Sequence, residues 1–245
     1  MSRAERRALP RQPRLRHVLR EAISDFYFHS WSFLGANLVL GAMLLAIVAL
    51  SPILPLALGI GLFLPLPAAG IMRMATRLLR DHRADLGDFA DVLRRPWPVL
   101  GIGVAQLVVT VVLVGDALIA VSWRSWPGTI LLVGAAYGLL ALWTVAVVAW
   151  PLLLDPERDG LPIRARLRLA LVVILLHPVR IGAFALLMGA AVILSTVLIA
   201  PLITFTVALV WLAIARWVLP IADRVEGRET AVVETPEPAS PNRSC

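Results

Sequence analysis

The chain has 245 residues, 59% of them hydrophobic and only 16% charged, with a mean hydropathy of +0.83. Soluble domains are about 45–50% apolar and about 25% charged, so the long uncharged runs here exclude an ordinary soluble fold and imply spans of about 20 residues each. The net charge of +7 does not point to nucleic acid, because its arginines flank apolar runs as orientation signals do. All 23 basic residues are Arg, which reads as the composition bias of a GC-rich bacterial genome. The lone cysteine, Cys245, excludes an intramolecular disulfide and a cysteine metal site.

Residues 1–13 are rich in Arg and Pro and are expected to be a disordered basic tail. From Arg14 to His29 the apolar residues Leu15, Val18, Leu19, Ala22, Ile23, Phe26 and Tyr27 form one helical stripe, with Arg16, Arg20, Glu21 and Ser24 opposite. This predicts an amphipathic helix at the membrane interface. A signal peptide is not expected, since the first apolar run starts near Trp31 and lacks a small-residue cleavage site.

Spans are expected at about 32–50 and 53–72, and Pro65 and Pro67 should interrupt the second. The stretch Phe63–Arg80 then changes from apolar to basic, with Arg73, Arg77 and Arg80 on one helix face. Asp81 to Pro96 reads as a cytosolic loop with a short helix, its apolar side made by Leu86, Phe89, Ala90 and Leu93. Further spans are expected at about 98–121 and 128–152, joined by an outer connection in which Trp123 and Trp126 suit an interfacial belt. Gly134 and Gly138 form a GxxxG pair.

Asp155 to Gly160 is a polar turn, and Ile163–His177 reads as a second interfacial or partly inserted helix, separated by Pro178 from the next run. Spans five and six are expected at about 179–200 and 202–220, turning at Pro201. The acidic tail 223–245, rich in Pro, Thr and Ser, is expected to be disordered. The excursions from Pro67 to Trp97 and from Pro151 to Pro178 form a faint internal repeat.

The four connections expected on one side hold seven, six, five and four arginines, whereas the opposite side holds Arg124 alone. The positive-inside rule therefore predicts an all-α polytopic protein of six spans in the bacterial plasma membrane, both termini cytosolic, forming a single domain over 14–222.

Candidate functional residues are few. Asp116 is the one acid well inside a span, where it anchors structure near Arg124 or couples to a ligand. Asn37 and Gln106, with Thr110, Thr144, Ser195, Thr204 and Thr206, supply interhelical hydrogen bonds or line a cavity for a hydroxyl-rich substrate. Arg73, Arg77 and Arg80 either snorkel to anionic headgroups or dock a cytosolic partner. Asp81, His82, Asp85 and Asp88 are better explained by helix-start electrostatics than by a metal, and His177 by the break at Pro178. With no nucleotide-binding loop, HExxH or nucleophile elbow, neither catalysis nor a cofactor is expected.

Several of these features in order — Asn37, Pro65–Ala69 with the arginine helix, Asp88-Phe89 and Leu93, Asp116, Pro151–Asp155 and His177-Pro178 — resemble the YesL-like family of small polytopic bacterial membrane proteins. The resemblance covers roughly residues 20–225, although the segment from Asn37 to Pro65 is longer than that family's usual first hairpin, which leaves the path of spans one and two open. It implies an uncharacterised biochemical role associated with carbohydrate uptake, and it transfers no catalytic residues. Two functions follow as expectations. One is an accessory or permease-like component of solute uptake, with a polar cavity joining Asn37, Gln106 and Asp116. The other is a membrane scaffold or regulator that docks partners on its arginine-rich cytosolic face.

Overall fold

The computed structural model describes residues 15–50, 52, 55–94, 96–123, 125–198 and 205–228, and among these all regular structure is helical, with no strand. Helices α1 (Leu15–Phe28) and α2 (Ser30–Leu50) lead into a 3-10 helix at Pro55–Phe63, followed by α3 (Pro65–Asp81) and α4 (Leu86–Arg94). The long hairpin of α5 (Pro96–Trp123) and α6 (Trp126–Leu153) comes next, then a short 3-10 turn at Pro156–Arg158 and α7 (Ile163–Leu176). Helices α8 (Pro178–Leu198) and α9 (Val207–Val225) close the bundle.

Among the described residues five helical stretches are long and apolar enough to cross a membrane: Ser30–Leu50, Gly59–Asp81, Pro96–Trp123, Trp126–Leu153 and Pro178–Ser195. The chain therefore fits a multi-pass membrane protein. The stretch expected as a sixth span differs in kind. Helix α9 carries Arg216, Asp223 and Arg224 toward its end, yet buries eleven residues from Ala208 to Asp223. Pro201, Thr204 and Arg124, beside which Asp116 was expected to anchor, lie outside the described residues, as do 1–14 and 229–245.

The prolines at 65 and 67 act differently from a mid-helix break. They occupy the first turn of α3, where a backbone N–H has no helical partner and the fixed φ of proline suits the start. A 3-10 segment thus hands over to a new α-helix, which runs past the expected limit at Met72 to Asp81. His82 ends it in the left-handed region (φ 53°), its N–H donating to the Leu78 carbonyl at 3.1 Å.

Helix α3 is the central element, in contact with α2, α4, α5, α6 and α9. Two glycines permit this. A Cβ on Gly70 would overlap the ring of Phe89 in α4, and one on Gly103 of α5 would overlap the ring of Pro65. The α4 face is accordingly set by Phe89 and Val92, which are buried; Leu86 and Leu93, expected on that face, are exposed. Of the GxxxG pair, Gly138 packs on Leu113 whereas Gly134 has no neighbour where a Cβ would stand. Trp143 Nε1 donates to the Ala185 carbonyl at 2.7 Å, and Trp217 stacks on Phe184 at 4.8 Å, joining α8 to α6 and α9.

Helix α1 is docked on α9. Its stripe divides: Val18 and Ala22 are buried, while Ile23 and Tyr27 are exposed. Arg216 secures the contact, donating to Glu21 at 2.5 Å and to Asp25 through both Nε (2.8 Å) and a terminal nitrogen.

Two substitutions in one helix test the close approach of α3 and α5. Gly103→Ala should lower unfolding stability in detergent by about 1–3 kcal/mol through overpacking. Gly101→Ala, where a Cβ meets nothing within 4 Å, should be neutral or stabilise by up to about 1 kcal/mol through helix propensity.

Candidate functional site

The arginine face of α3 converges with the α6–α7 connection and the end of α9. Asp155 makes the junction possible. It caps the short turn after α6 by accepting from the Glu157 N–H at 3.2 Å, which folds Arg158 inward. Arg80 then donates to Asp155 at 2.8 Å and to both oxygens of Asp223 at 2.9 Å, with Glu157 at 3.4 Å. Arg158 pairs with Asp155, with Asp223 at 2.6 Å and with Glu226 at 2.7 Å.

Asp155 and Arg158 are fully buried and Asp223 nearly so. Charges so placed persist only when paired and hydrogen-bonded. Burial disfavours the Arg158 cation, but its hydrogen bonds to Glu226 and Asp223 and the charge of Asp155 outweigh this and raise its pKa. Burial likewise opposes the Asp223 anion, and the hydrogen bonds from Arg80 and Arg158 overcome it, holding that carboxyl below the ordinary aspartate range. Arg158 Nε is buried without a partner.

A second set of contacts clamps the same connection from the other side. Arg73 donates to the Leu154 carbonyl at 2.9 Å and grips the Asp159 carboxylate with both terminal nitrogens. Thr76 donates to the Leu154 carbonyl as well, at 2.9 Å. Arg166 at the start of α7 collects the carbonyls of Leu153, Asp159 and Leu161 at 2.5–3.0 Å. Burial, aided by the neighbouring Arg73 charge and opposed by Asp159, lowers its pKa. Arg77 pairs with Asp81 at 3.0 Å and lies 3.5 Å from Asp88.

Beside this junction opens a cleft of about 530 Å³, bounded by Arg73, Asp91, Arg94, Val99, Trp150 and Arg166 among others. Its base is apolar and its rim carries both signs of charge. Such a surface suits a peptide or an amphipathic anion rather than a bare ion.

The three intramembrane candidates are not brought together. Gln106 accepts from Trp150 Nε1 at 2.9 Å and lines a separate cleft of about 250 Å³ with Thr110, Trp143 and Trp211. Asn37 is buried in α2, and Asp116 sits half-exposed on α5. Arg73 and Arg80, considered from sequence as lipid or partner contacts, are 12% and 11% exposed and bind the protein's own carboxylates; Arg77 is the most open of the three. Carboxylates of Asp155, Glu157 and Asp223 approach within 4.8 Å of one another, a spacing a metal could use. Arg80 contacts all three and Arg158 two, so cationic groups already fill the space between them.

Comparison with protein-family models, curated proteins and solved structures finds no match for this chain.

Sequence reasoning reduced the key acids to a polar turn (Asp155) and to a disordered tail (Asp223, Glu226). The tail assignment is corrected for 223–228: α9 continues to Val225, because Asp223 and Glu226 find buried partners there. The available signal was Asp155-Pro156-Glu157-Arg158, a capped turn directly after a span.

Arg158→Met leaves the buried carboxylates of Asp155 and Asp223 to Arg80 alone and should lower stability in detergent by about 3–5 kcal/mol, as for other broken buried ion pairs. The pH dependence follows from Asp223. With a folded pKa below its unfolded value of about 3.9, its stabilising contribution is complete well above that value and is lost as pH falls through the folded one. Melting temperature should hold steady from pH 7 to about 5 and fall below about 4, and Asp223→Asn should reduce that acid-dependent fall.

Proposed function

We propose that this chain is a six-span protein of the bacterial plasma membrane, with cytosolic termini, that acts as a non-enzymatic scaffold holding a partner protein at its arginine-rich end. The arginine distribution supports the orientation. Exposed aromatic residues support the placement: Trp31 and Trp97 lie at the arginine end and Trp123 and Trp126 at the other. Along α5, Trp97 and Trp123 are separated by a rise of about 39 Å, close to the roughly 40 Å between headgroup layers. In this reading α9 as far as Pro220 belongs to the sixth span, its Arg216 neutralised by Glu21 and Asp25 of α1.

The observation that carries the scaffold reading is the 530 Å³ cleft on a frame of clamped arginines. A groove whose walls are fixed beforehand loses little entropy on binding. Arg94 and Asp91, exposed on its rim, are the residues best placed to select a partner. The permease-like reading, as part of a carbohydrate-uptake system, is favoured by a different observation. Gln106, Thr110 and three tryptophans line the smaller cleft, and the indole nitrogen of Trp211 is buried without a partner.

A photo-crosslinking residue placed at Ile163, within the cleft lining, tests the first reading in the native membrane. The expected result is one discrete protein adduct, weakened at least about fivefold by Arg94→Glu, with none from the same probe at the exposed Val111. Absence of any adduct, together with loss of solute uptake in a Gln106→Leu strain, would favour the second reading.

A further inference from the structure

The α5–α6 hairpin has two unlike sides. One packs against the bundle, through Gly103 on Pro65, Gln106 on Trp150 and Trp143 on Ala185. The other faces away from it, and α5 as a whole buries only Val99, Gly103 and Ala120. Gly128 packs on Ala120 and Gly138 on Leu113, so the antiparallel register places Gly134 across from Asp116. Tyr137 follows Gly134 by three residues and shares its outward side.

Two polar groups on this outer side lack partners. Asp116 is half-buried and Tyr137 is 70% exposed, and among the described residues neither has a hydrogen bond or ion pair. Asp116 lies about 10 Å along its helix from Trp123, and Tyr137 about 16 Å from Trp126. Neither side chain is long enough to reach the level of those tryptophans. In hydrocarbon, hydrogen-bonding groups at that depth need protein partners.

We infer that this outer face is a homodimer interface, in which Asp116 of each copy accepts a hydrogen bond from the partner's Tyr137 beside Gly134. The two groups complement each other: a phenol that donates and a carboxyl oxygen that accepts. A two-fold axis along the membrane normal keeps each residue at its own depth and generates the contact twice. Tyr137 lies about 4.5 Å along the axis from the level of Gly134 and Asp116, an offset that a phenol side chain spans. Space exists for the approach, since a Cβ on Gly134 would meet nothing within 4 Å, and small residues let membrane helices come close. A second copy satisfies both groups at once. A foreign helix would have to supply a separate donor and a separate acceptor at matching depths.

Asp116 lies about 21 Å along α5 from Ile102, the nearest residue of that helix in the cleft lining, and the inference stands apart from the scaffold reading. Its test is energy transfer between donor- and acceptor-labelled full-length chains reconstituted in liposomes over a range of protein-to-lipid ratios. Saturable dimerisation is expected. Tyr137→Phe and Asp116→Leu should each weaken it roughly tenfold, as two interhelical hydrogen bonds are lost together. The double variant should be no weaker than either single one, and Asp116→Asn, which keeps an acceptor oxygen, should dimerise nearly as well as the unaltered chain. Unchanged melting temperatures would show that the variants are folded. A chain that stays monomeric at every ratio, or a dimer indifferent to both single substitutions, would overturn the inference.

Discussion

Five side chains at one end of the bundle determine how the rest is arranged. Arg80, Asp155, Arg158, Asp223 and Glu226 come from three regions, with 75 residues between Arg80 and Asp155 and 143 between Arg80 and Asp223. None of these charges could be buried singly, since desolvating an unpaired ion costs several kcal/mol. Burial of any one therefore requires the others. The end of α3, the turn after α6 and the end of α9 consequently meet in one place. An apolar contact of similar size could stabilise as much, but it would not specify which three segments meet.

A second ionic contact extends this logic to α1. Arg216 lies inside an otherwise apolar stretch of α9 and takes both Glu21 and Asp25. Helix α9 thus carries two charged anchor points, one on each of two neighbours, along with the apolar face that packs into the core. This explains why a helix less suited by composition to lipid is among the best buried. Its charges are directed at protein.

Helical class and most element positions were legible in the sequence, because long apolar runs between prolines and polar turns report directly on long helices. The start of α3 was harder to assign. Pro65 and Pro67 mark a break from sequence alone, but whether they end one helix or begin another depends on the 3-10 segment before them. Orientation within α4 depended on Gly70, whose missing side chain admits Phe89, and a one-helix periodicity contains no information about its neighbour. The ionic junction was least legible. Its members are far apart in sequence and each looks ordinary in its own segment: an acid in a turn, a basic residue at a span end, an acid in a tail. The same arginines that report orientation to the positive-inside count also bind the fold together, and composition alone does not separate those two uses.

The junction also bears on mechanism. A carrier must pass between conformations that open to opposite sides, and such a change requires helices to move against one another. Here α3, α6 and α9, which line the cleft of Gln106 and Trp211 together with α5, are joined at one end by buried ion pairs shared among three segments. Separating them would expose Arg158 and Asp223 unpaired, a penalty borne by several groups at once because each has more than one partner. Helices held in this way make a stiff frame. Stiffness is a disadvantage for alternating access and an advantage for presenting a fixed groove to a partner. Polar residues divide accordingly: the junction's charges pair with one another, whereas Asp116 and Tyr137 on the outlying hairpin have no partner among the described residues. A frame whose buried charges are paired internally, and whose outer hairpin carries polar groups without partners, is suited to assembling with other molecules.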